Sequence, residues 1–128
     1  MASILLDTHT AIWFFNGSSN LSDKAKHMIL DPSNRISVCV VSVWELAVKI
    51  NVGKLKFAGG VADFLRLIDS NGFQLLNIMP KHLLELEHLP LHHRDPFDRI
   101  LIATAISEGM RFVSADRNMS LYSLQCVW

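Results

Sequence analysis

The amino-acid sequence predicts an α/β fold, a three-layer sandwich with a central, mostly parallel sheet flanked by helices. Short, continuously apolar runs alternate with amphipathic segments along the whole chain, as they do in parallel sheets whose strands are connected by helices. No internal repeat, linker or low-complexity stretch interrupts this order. The 128 residues, 50% of them hydrophobic and 19% charged, fit a single compact domain over residues 1–128.

The first half of the chain contains two predicted strands and four predicted helices. Residues 3–6 (SILL) predict a strand covered on both faces, and residues 35–41 (RISVCVV) predict a second strand because they are rich in β-branched side chains. Helical periodicity and stop signals such as Asn16-Gly17 predict the four helices. These helices cover residues 8–15, 22–30, 42–53 and 61–68.

The second half continues the alternation. Residues 73–78 (FQLLNI) and 111–115 (RFVSA) predict two further strands. Prolines before and after the helical patterns and a glycine at position 109 mark where the helices begin and end. The remaining predicted elements are two helices, a short helical turn and a last apolar segment, over residues 80–89, 96–108, 120–122 and 125–128.

The clearest helix start lies in HHRDPFDRILIATA, residues 92–105. Asp95 stands at the N-cap position and Pro96 at the first helical position. Asp98 follows three residues after Asp95, so both carboxylates lie on one face at the positive end of the helix dipole. Two interpretations stay open at this point: the two acids cap the helix, or they join other carboxylates in a functional site.

Other acids are predicted at the same edge of the sheet. Asp7 and Asp116 directly follow the first and fourth predicted strands, and Glu45 lies in the first predicted turn of the helix after the second strand. Ligands of open parallel sheets bind at the carboxyl ends of the strands, so these acids would meet if the first and fourth strands are neighbours. Each acid also has a structural interpretation, as a cap or, for Ser42-x-x-Glu45, as a capping box.

The conjunction of these acids favours a metal site. Four carboxylates with no basic residue among them repel one another unless a cation neutralises them. All-oxygen ligands favour Mg²⁺ or Mn²⁺, and such a site suits the hydrolysis of phosphodiesters. Zinc is disfavoured, since Cys39 and Cys126 are expected to be small buried thiols. The histidines, especially His88, His92 and His93, are expected to be solvated or packed in a loop.

Four motifs in register resemble the PIN-domain ribonucleases, specifically the VapC-type toxins of bacterial toxin–antitoxin pairs. The motifs are LLDTH, SVWELAVK, HHRDPFDRILIATA and FVSAD, and the resemblance covers essentially all 128 residues. It implies a PIN-like sandwich and a metal-dependent endoribonuclease. The acids that it implies as catalytic residues and metal ligands are Asp7, Glu45, Asp98 and Asp116.

The resemblance implies supporting residues and partners as well. Asp95 is expected to cap the helix or to be a further ligand, and Ser42 to fix the helix that carries Glu45. The implied cofactor is Mg²⁺ or Mn²⁺ and the implied substrate is RNA. The implied protein partners are a second copy, forming a homodimer, and a small antitoxin whose tail fills the active-site groove.

Basic and aromatic residues near these motifs have open interpretations. Arg94, Arg99 and Arg117 adjoin the proposed ligands, where they would contact RNA phosphates or form salt bridges with the same acids. Lys49, with Lys54 and Lys56, forms either a basic patch for RNA or a solvated helix end. The aromatic side chains at positions 13–15 are expected in the core or at a dimer surface. His9 is expected on a helix surface, with an approach to the acids as the alternative.

Composition limits the remaining function classes. Twelve basic and twelve acidic residues cancel, so contact with a nucleic acid must come from local patches. No signal peptide or membrane span is expected, and the cytoplasm is the expected location. Two alternatives to a toxin stay open: a non-catalytic interaction domain whose acids are caps, and an RNA-processing nuclease. Other phosphoryl-transfer families fit less well, because Asp7-Thr8-His9 is not the Asp-x-Asp of haloacid dehalogenases.

Overall fold

A computed structural model, which describes all residues 1–128, contains a five-stranded sheet in the order β3-β2-β1-β4-β5. Every neighbouring pair of strands is parallel, so the predicted mostly parallel sheet is confirmed. The central strand, β1, pairs with β2 on one side and with β4 on the other. The strands are β1 Ser3–Leu6, β2 Arg35–Cys39, β3 Gln74–Leu76, β4 Arg111–Val113 and β5 Cys126–Val127.

Six α-helices and one 3₁₀ helix connect the strands. The α-helices are α1 Thr8–Asn16, α2 Asp23–Leu30, α3 Val40–Asn51, α4 Gly60–Ser70, α5 Pro80–Glu87 and α6 Pro96–Glu108, and the 3₁₀ helix is Arg117–Leu121. Asp95 is the N-cap of α6 and Gly109 ends it in the left-handed conformation with φ 64°, as the sequence predicts. No helix has the length and apolar character needed to cross a bilayer.

The two faces of the sheet carry separate cores, which makes the predicted three-layer sandwich. Successive side chains of a strand point to opposite faces, and β1 follows this rule. Ile4 and Leu6 pack in one core with residues of α1 to α4, whereas Leu5 packs in the other with residues of α6. The aromatic side chains at positions 13–15 pack against the first of these cores, so their predicted place in the core is confirmed.

The boundary between β2 and α3 differs from the prediction. Val40 and Val41 were expected to end the strand, but β2 ends at Cys39 and both valines lie in the first turn of α3. The neighbouring strands offer no partner beyond Cys39, since β1 ends at Leu6 and β3 ends at Leu76, and the β propensity of the two valines does not override this. The predicted capping box is therefore wrong: Cys39 is the N-cap, and no side chain caps α3.

Two strands, the edge strand β3 and the internal strand β4, are shorter than predicted. β3 covers three residues and pairs only with β2, since an edge strand has a partner on one side alone. β4 ends at Val113, and the chain then turns so that Asp116 becomes the N-cap of the 3₁₀ helix. This early turn matters for the site, because it brings Ser114 and Asp116 to the carboxyl end of β1.

Candidate active site

Asp7 lies at the carboxyl end of the central strand, where β1 gives way to α1. Its Oδ1 accepts a hydrogen bond from the Thr8 amide at 2.7 Å and its Oδ2 accepts one from the Ser114 hydroxyl at 2.7 Å. The Asp7 amide donates to the Val113 carbonyl at 3.0 Å, which joins the ends of β1 and β4. Burial is the main cause that raises the pKa of Asp7, and these hydrogen bonds oppose it.

The start of α6 brings two more carboxylates to this edge. Oδ1 of Asp95 accepts hydrogen bonds from the amides of Phe97 and Asp98, at 2.8 and 3.1 Å. The predicted capping role of Asp95 is thus observed, while its role as a ligand stays a prediction. Burial, followed by the charges of Asp7 and Asp95, raises the pKa of Asp98 to about 7.

Glu45 reaches the cluster from α3. It lies in the second turn of that helix rather than in the predicted first turn, since α3 begins at Val40. The carboxylate is 3% exposed, and its Oε2 forms an ion pair with Lys49 Nζ at 2.6 Å. Its Oε1 is buried without any hydrogen-bond partner. A buried carboxylate oxygen with no partner is costly, so this atom calls for a cation or a donor that the protein itself does not supply.

Asp116 completes the predicted quartet. Its Oδ1 accepts a hydrogen bond from the Asn118 amide at 2.9 Å, as expected of an N-cap, and its Oδ2 lies 3.0 Å from His93 Nε2. Asp7, Asp98 and Asp116 line one cleft of about 400 Å³, which we call the acidic cleft. The other residues lining it are His9, Thr10, Trp13 and Ala115. His9 therefore does approach the acids, as the alternative interpretation proposed.

His93 is the functional candidate that sequence reasoning missed. Its Nε2 lies 3.3 Å from Asp98 Oδ2 and 3.0 Å from Asp116 Oδ2, so the expectation of a solvated or loop-packing side chain is wrong. Ligand atoms of these three residues all lie within 4.8 Å of one another, a geometry that could hold a metal ion. The sequence feature that indicated its place near the site is its position, two residues before the N-cap of the helix that carries Asp98.

Hydroxyl side chains support the site and were also largely missed. The Ser42 hydroxyl is not a cap but shares a hydrogen bond with the Thr8 hydroxyl at 2.8 Å. This bond ties α3, which carries Glu45, to the residue that follows Asp7. Thr10 donates to the Val113 carbonyl at 3.0 Å. Such contacts join segments that are far apart in sequence, so no local pattern indicates them.

The basic residues depart from the predictions. Two basic side chains do lie among the acids, Lys49 at Glu45 and His93 at Asp98 and Asp116, contrary to the expectation of none. The guanidinium of Arg99 donates to three backbone carbonyls of the loop before α6. Arg94 and Arg117 are exposed and, like Arg99, form no salt bridge. The salt-bridge alternative is therefore wrong for all three arginines.

The donor set fits a hard divalent cation. Asp7, Asp98 and Asp116 meet in the cleft from the starts of α1, α6 and the 3₁₀ helix, Glu45 lies close enough to act on the pKa of Asp98, and neither cysteine is among the lining residues. Each carboxylate raises the cost of ionising its neighbours, as the charges of Asp7 and Glu45 do for Asp98. Oε1 of Glu45 is buried without a hydrogen-bond partner, so it remains available to a cation while Lys49 pairs with Oε2.

Comparison with known proteins identifies relatives in sequence and in fold. The chain is 30% identical over 120 residues to ribonuclease VapC22 of Mycobacterium tuberculosis, covering 93% of this chain and 91% of that protein. The crystal structure of VapBC2 from Rickettsia felis, bound to a DNA fragment from its promoter, matches with a TM-score of 0.73 and 16% identity over 98% of this chain and 97% of that one.

A second structural match is VapBC-5 of Mycobacterium tuberculosis, a member of the VapBC family of toxin–antitoxin systems. Its TM-score is 0.61 at 17% identity, over 99% of this chain and 98% of that one. At these identities the two structures speak for the fold. The family model of the PIN domain matches residues 4–123, and with this match, the five parallel strands and the acids at their carboxyl edge, the chain belongs to the PIN-domain family.

Proposed function

We propose that this protein is a metal-dependent endoribonuclease and the toxin of a toxin–antitoxin pair. The observation that carries the proposal is the meeting of Asp7, Asp98 and Asp116 in the acidic cleft, with Glu45 close enough to raise the pKa of Asp98. Caps alone need no such meeting of carboxylates, whereas a cation site does. The 30% identity to a ribonuclease supports RNA as the substrate.

Asp7, Glu45, Asp98 and Asp116 are the residues that would hold Mg²⁺ or Mn²⁺, with Asp95 adjoining them. When bound, the ion supplies a water of lowered pKa and stabilises negative charge on the phosphate oxygens. Lys49 fixes Oε2 of Glu45 and leaves Oε1 free. Arg94 and Arg117 are exposed cations that adjoin site residues in sequence, and we assign them to the RNA backbone.

The test is cleavage of total RNA by the purified protein in Mg²⁺, in Mn²⁺ and in EDTA, beside the Asp7→Asn variant. We expect metal-dependent cutting that the variant lacks, because Asp7 is the most central of the proposed ligands. Absence of cutting in every metal, once a co-purified inhibitor is excluded, would favour a non-catalytic interaction domain. Equal cutting by the variant would reveal a contaminating nuclease.

The toxin assignment requires an antitoxin. VapBC-5, one of the structural relatives, is a member of a toxin–antitoxin family, and this supports a small protein partner here. The test is a short reading frame directly upstream whose product co-purifies with this chain and blocks cleavage. Cleavage without any such neighbour would instead favour an RNA-processing nuclease that is not a toxin.

We further propose a homodimer formed through an apolar face on α3 and α5. Trp44 is 60% exposed and Leu83 is 53% exposed, and both line a groove of about 400 Å³ whose other lining residues are almost all apolar. A patch of this kind marks an interaction surface. Sedimentation of the wild type as a dimer and of Trp44→Glu as a monomer would support the proposal, and a monomeric wild type would contradict it.

A further inference from the structure

The loop before α6, residues 89–94, is fixed on both sides of its backbone. The Tyr122 hydroxyl, 5% exposed, accepts hydrogen bonds from the amides of His92 and His93 at 3.0 and 2.8 Å. From the other side, Arg99 donates to the carbonyls of His93 and of two preceding residues, Leu89 and Pro90, at 3.1 to 3.3 Å. A loop held by five hydrogen bonds from two side chains presents its residues in one orientation.

Hydrogen bonding within this loop defines the tautomer of the His93 ring. The Asp95 amide donates to Nδ1 of His93 at 3.1 Å, so Nδ1 is the acceptor nitrogen and the hydrogen-bond pattern assigns the proton to Nε2. Nε2–H then donates to Oδ2 of Asp116 at 3.0 Å, and Oδ2 of Asp98 lies 3.3 Å from the same nitrogen. Ligation of a metal through Nε2 would require a proton on Nδ1, which would face the Asp95 amide donor to donor.

We propose that His93 is a positioning residue, not a metal ligand: its Nε2–H donates to Asp116, and its ring, which also contacts Asp98, holds these two carboxylates at the separation that the cation requires. The proposal rests on the metal site proposed above. Asp98 belongs to α6 and Asp116 to the turn after β4, so no backbone hydrogen bond joins them directly. Their charges repel, and an N–H dipole that donates to one carboxylate and lies beside the other opposes that repulsion.

The contacts of His93 leave both carboxylates able to bind a cation. A carboxylate has two oxygens with about four acceptor positions, and His93 donates to one oxygen of Asp116 and lies beside one oxygen of Asp98. Oδ1 of Asp98 makes no hydrogen bond, and Oδ1 of Asp116 accepts one from the Asn118 amide. Hydrogen bonds of this kind orient metal ligands, and their loss typically weakens metal binding by about 10- to 100-fold.

A second histidine with the same hydrogen-bond pattern provides a matched control. Nδ1 of His82 accepts from the Met79 amide at 3.0 Å, and its Nε2 lies 2.8 Å from Oε1 of Glu108. Glu108 ends α6 ten residues after Asp98, about 15 Å farther along the helix. His82 therefore ties α5 to α6 without touching the acidic cleft.

The experiment compares two substitutions of His93 that each keep half of its hydrogen bonds. His93→Gln places an N–H near the position of Nε2 and retains the donor, whereas His93→Asn places an oxygen near Nδ1 and retains only the acceptor for the Asp95 amide. Mn²⁺ binding is measured by calorimetry, with RNA cleavage as the second readout. We expect His93→Gln to bind within about threefold of wild type and His93→Asn to bind about 10- to 100-fold more weakly.

The control variant changes a histidine that lies outside the acidic cleft. His82→Asn should lower the melting temperature and leave Mn²⁺ affinity unchanged. Wild-type affinity in His93→Asn would overturn the proposal, and so would equal weakening by the Gln and Asn variants, since the ring itself would then be the ligand. A wild type that binds no Mn²⁺ would overturn the metal site of the proposed function, and this proposal with it.

A measurement on the wild-type protein tests the proposal even if the variants fail to fold. Nitrogen-15 NMR of the His93 ring distinguishes a protonated from an unprotonated Nε2. We expect the Nε2 proton to remain when Mg²⁺ is added, because a donor keeps its proton. Loss of that proton on addition of Mg²⁺ would identify His93 as a ligand and overturn the proposal.

Discussion

Replacing Asp98 with asparagine should stabilise the metal-free protein at pH 8. Burial and the charges of Asp7 and Asp95 raise the pKa of Asp98 from 3.8 to about 7. The side chain is 19% exposed, so solvent screens this environment only in part. A shift of about three pKa units corresponds to about 4 kcal/mol, which the folded protein loses when Asp98 ionises.

The sign follows from proton linkage. Because the folded state binds this proton more tightly than the unfolded chain does, wild-type stability falls as the pH rises from about 4 to about 7 and is level above that. The Asp98→Asn variant lacks this decline. An asparagine oxygen can still accept from His93, but burying the amide has its own cost. We therefore expect a net gain of about 1–3 kcal/mol at pH 8 and almost none at pH 4.

Thermal unfolding in EDTA, followed by circular dichroism at several pH values, measures this gain. The same melts in 1 mM Mn²⁺ should reverse the order of the two proteins, since a ligand at 100 times its dissociation constant stabilises the folded state by about 2.7 kcal/mol. Asp98→Asn, which lacks a proposed ligand, should gain less stability from Mn²⁺. A variant that melts below wild type at pH 8 in EDTA would refute the reasoning that charge crowding dominates at this residue.

Three further predictions concern the surroundings of the acidic cleft. Lys49→Met leaves both oxygens of Glu45 unpaired, so we expect a loss of about 1–3 kcal/mol in EDTA that Mn²⁺ recovers; an unchanged urea midpoint would contradict it. Tyr122→Phe removes the acceptor for two amides of the loop before α6, so we expect the free energy of unfolding in urea to fall by about 1–3 kcal/mol and Mn²⁺ binding to weaken. Wild-type stability together with wild-type Mn²⁺ affinity would show that Arg99 alone holds the loop. Because Asp98 has a pKa of about 7, Mn²⁺ affinity should rise by up to about tenfold per pH unit below that pH and level off above it. Calorimetry at pH 6, 7 and 8 measures this affinity, and an affinity that does not change with pH would contradict the prediction.

Local patterns in the sequence predicted most of the fold and the main acids. The order of strands and helices follows from apolar runs and helical periodicity, which are properties of neighbouring residues. Asp95-Pro96 marks the start of α6 by capping and by the fixed φ of proline. Asp7 and Asp116 were placed at one edge because the residues after parallel strands share an edge whatever the details of packing.

The tertiary structure decided the contacts that make these acids a site. That β1 and β4 are neighbours brings Ser114 to Asp7, and this depends on strand order rather than on any local pattern. The ends of the neighbouring strands also place Val40 and Val41 in α3 rather than in β2, which changes the helical turn on which Glu45 lies.

His93 shows most clearly why the rest could not be predicted. Its place between Asp98 and Asp116 depends on Tyr122, which is 29 residues away in sequence and reaches the loop only after the chain has passed through α6, β4 and the 3₁₀ helix. Its tautomer depends on the Asp95 amide. Side-chain hydrogen bonds between distant segments form only once packing has brought those segments together, so the sequence alone specified the carboxylates and the folded chain specified what holds them.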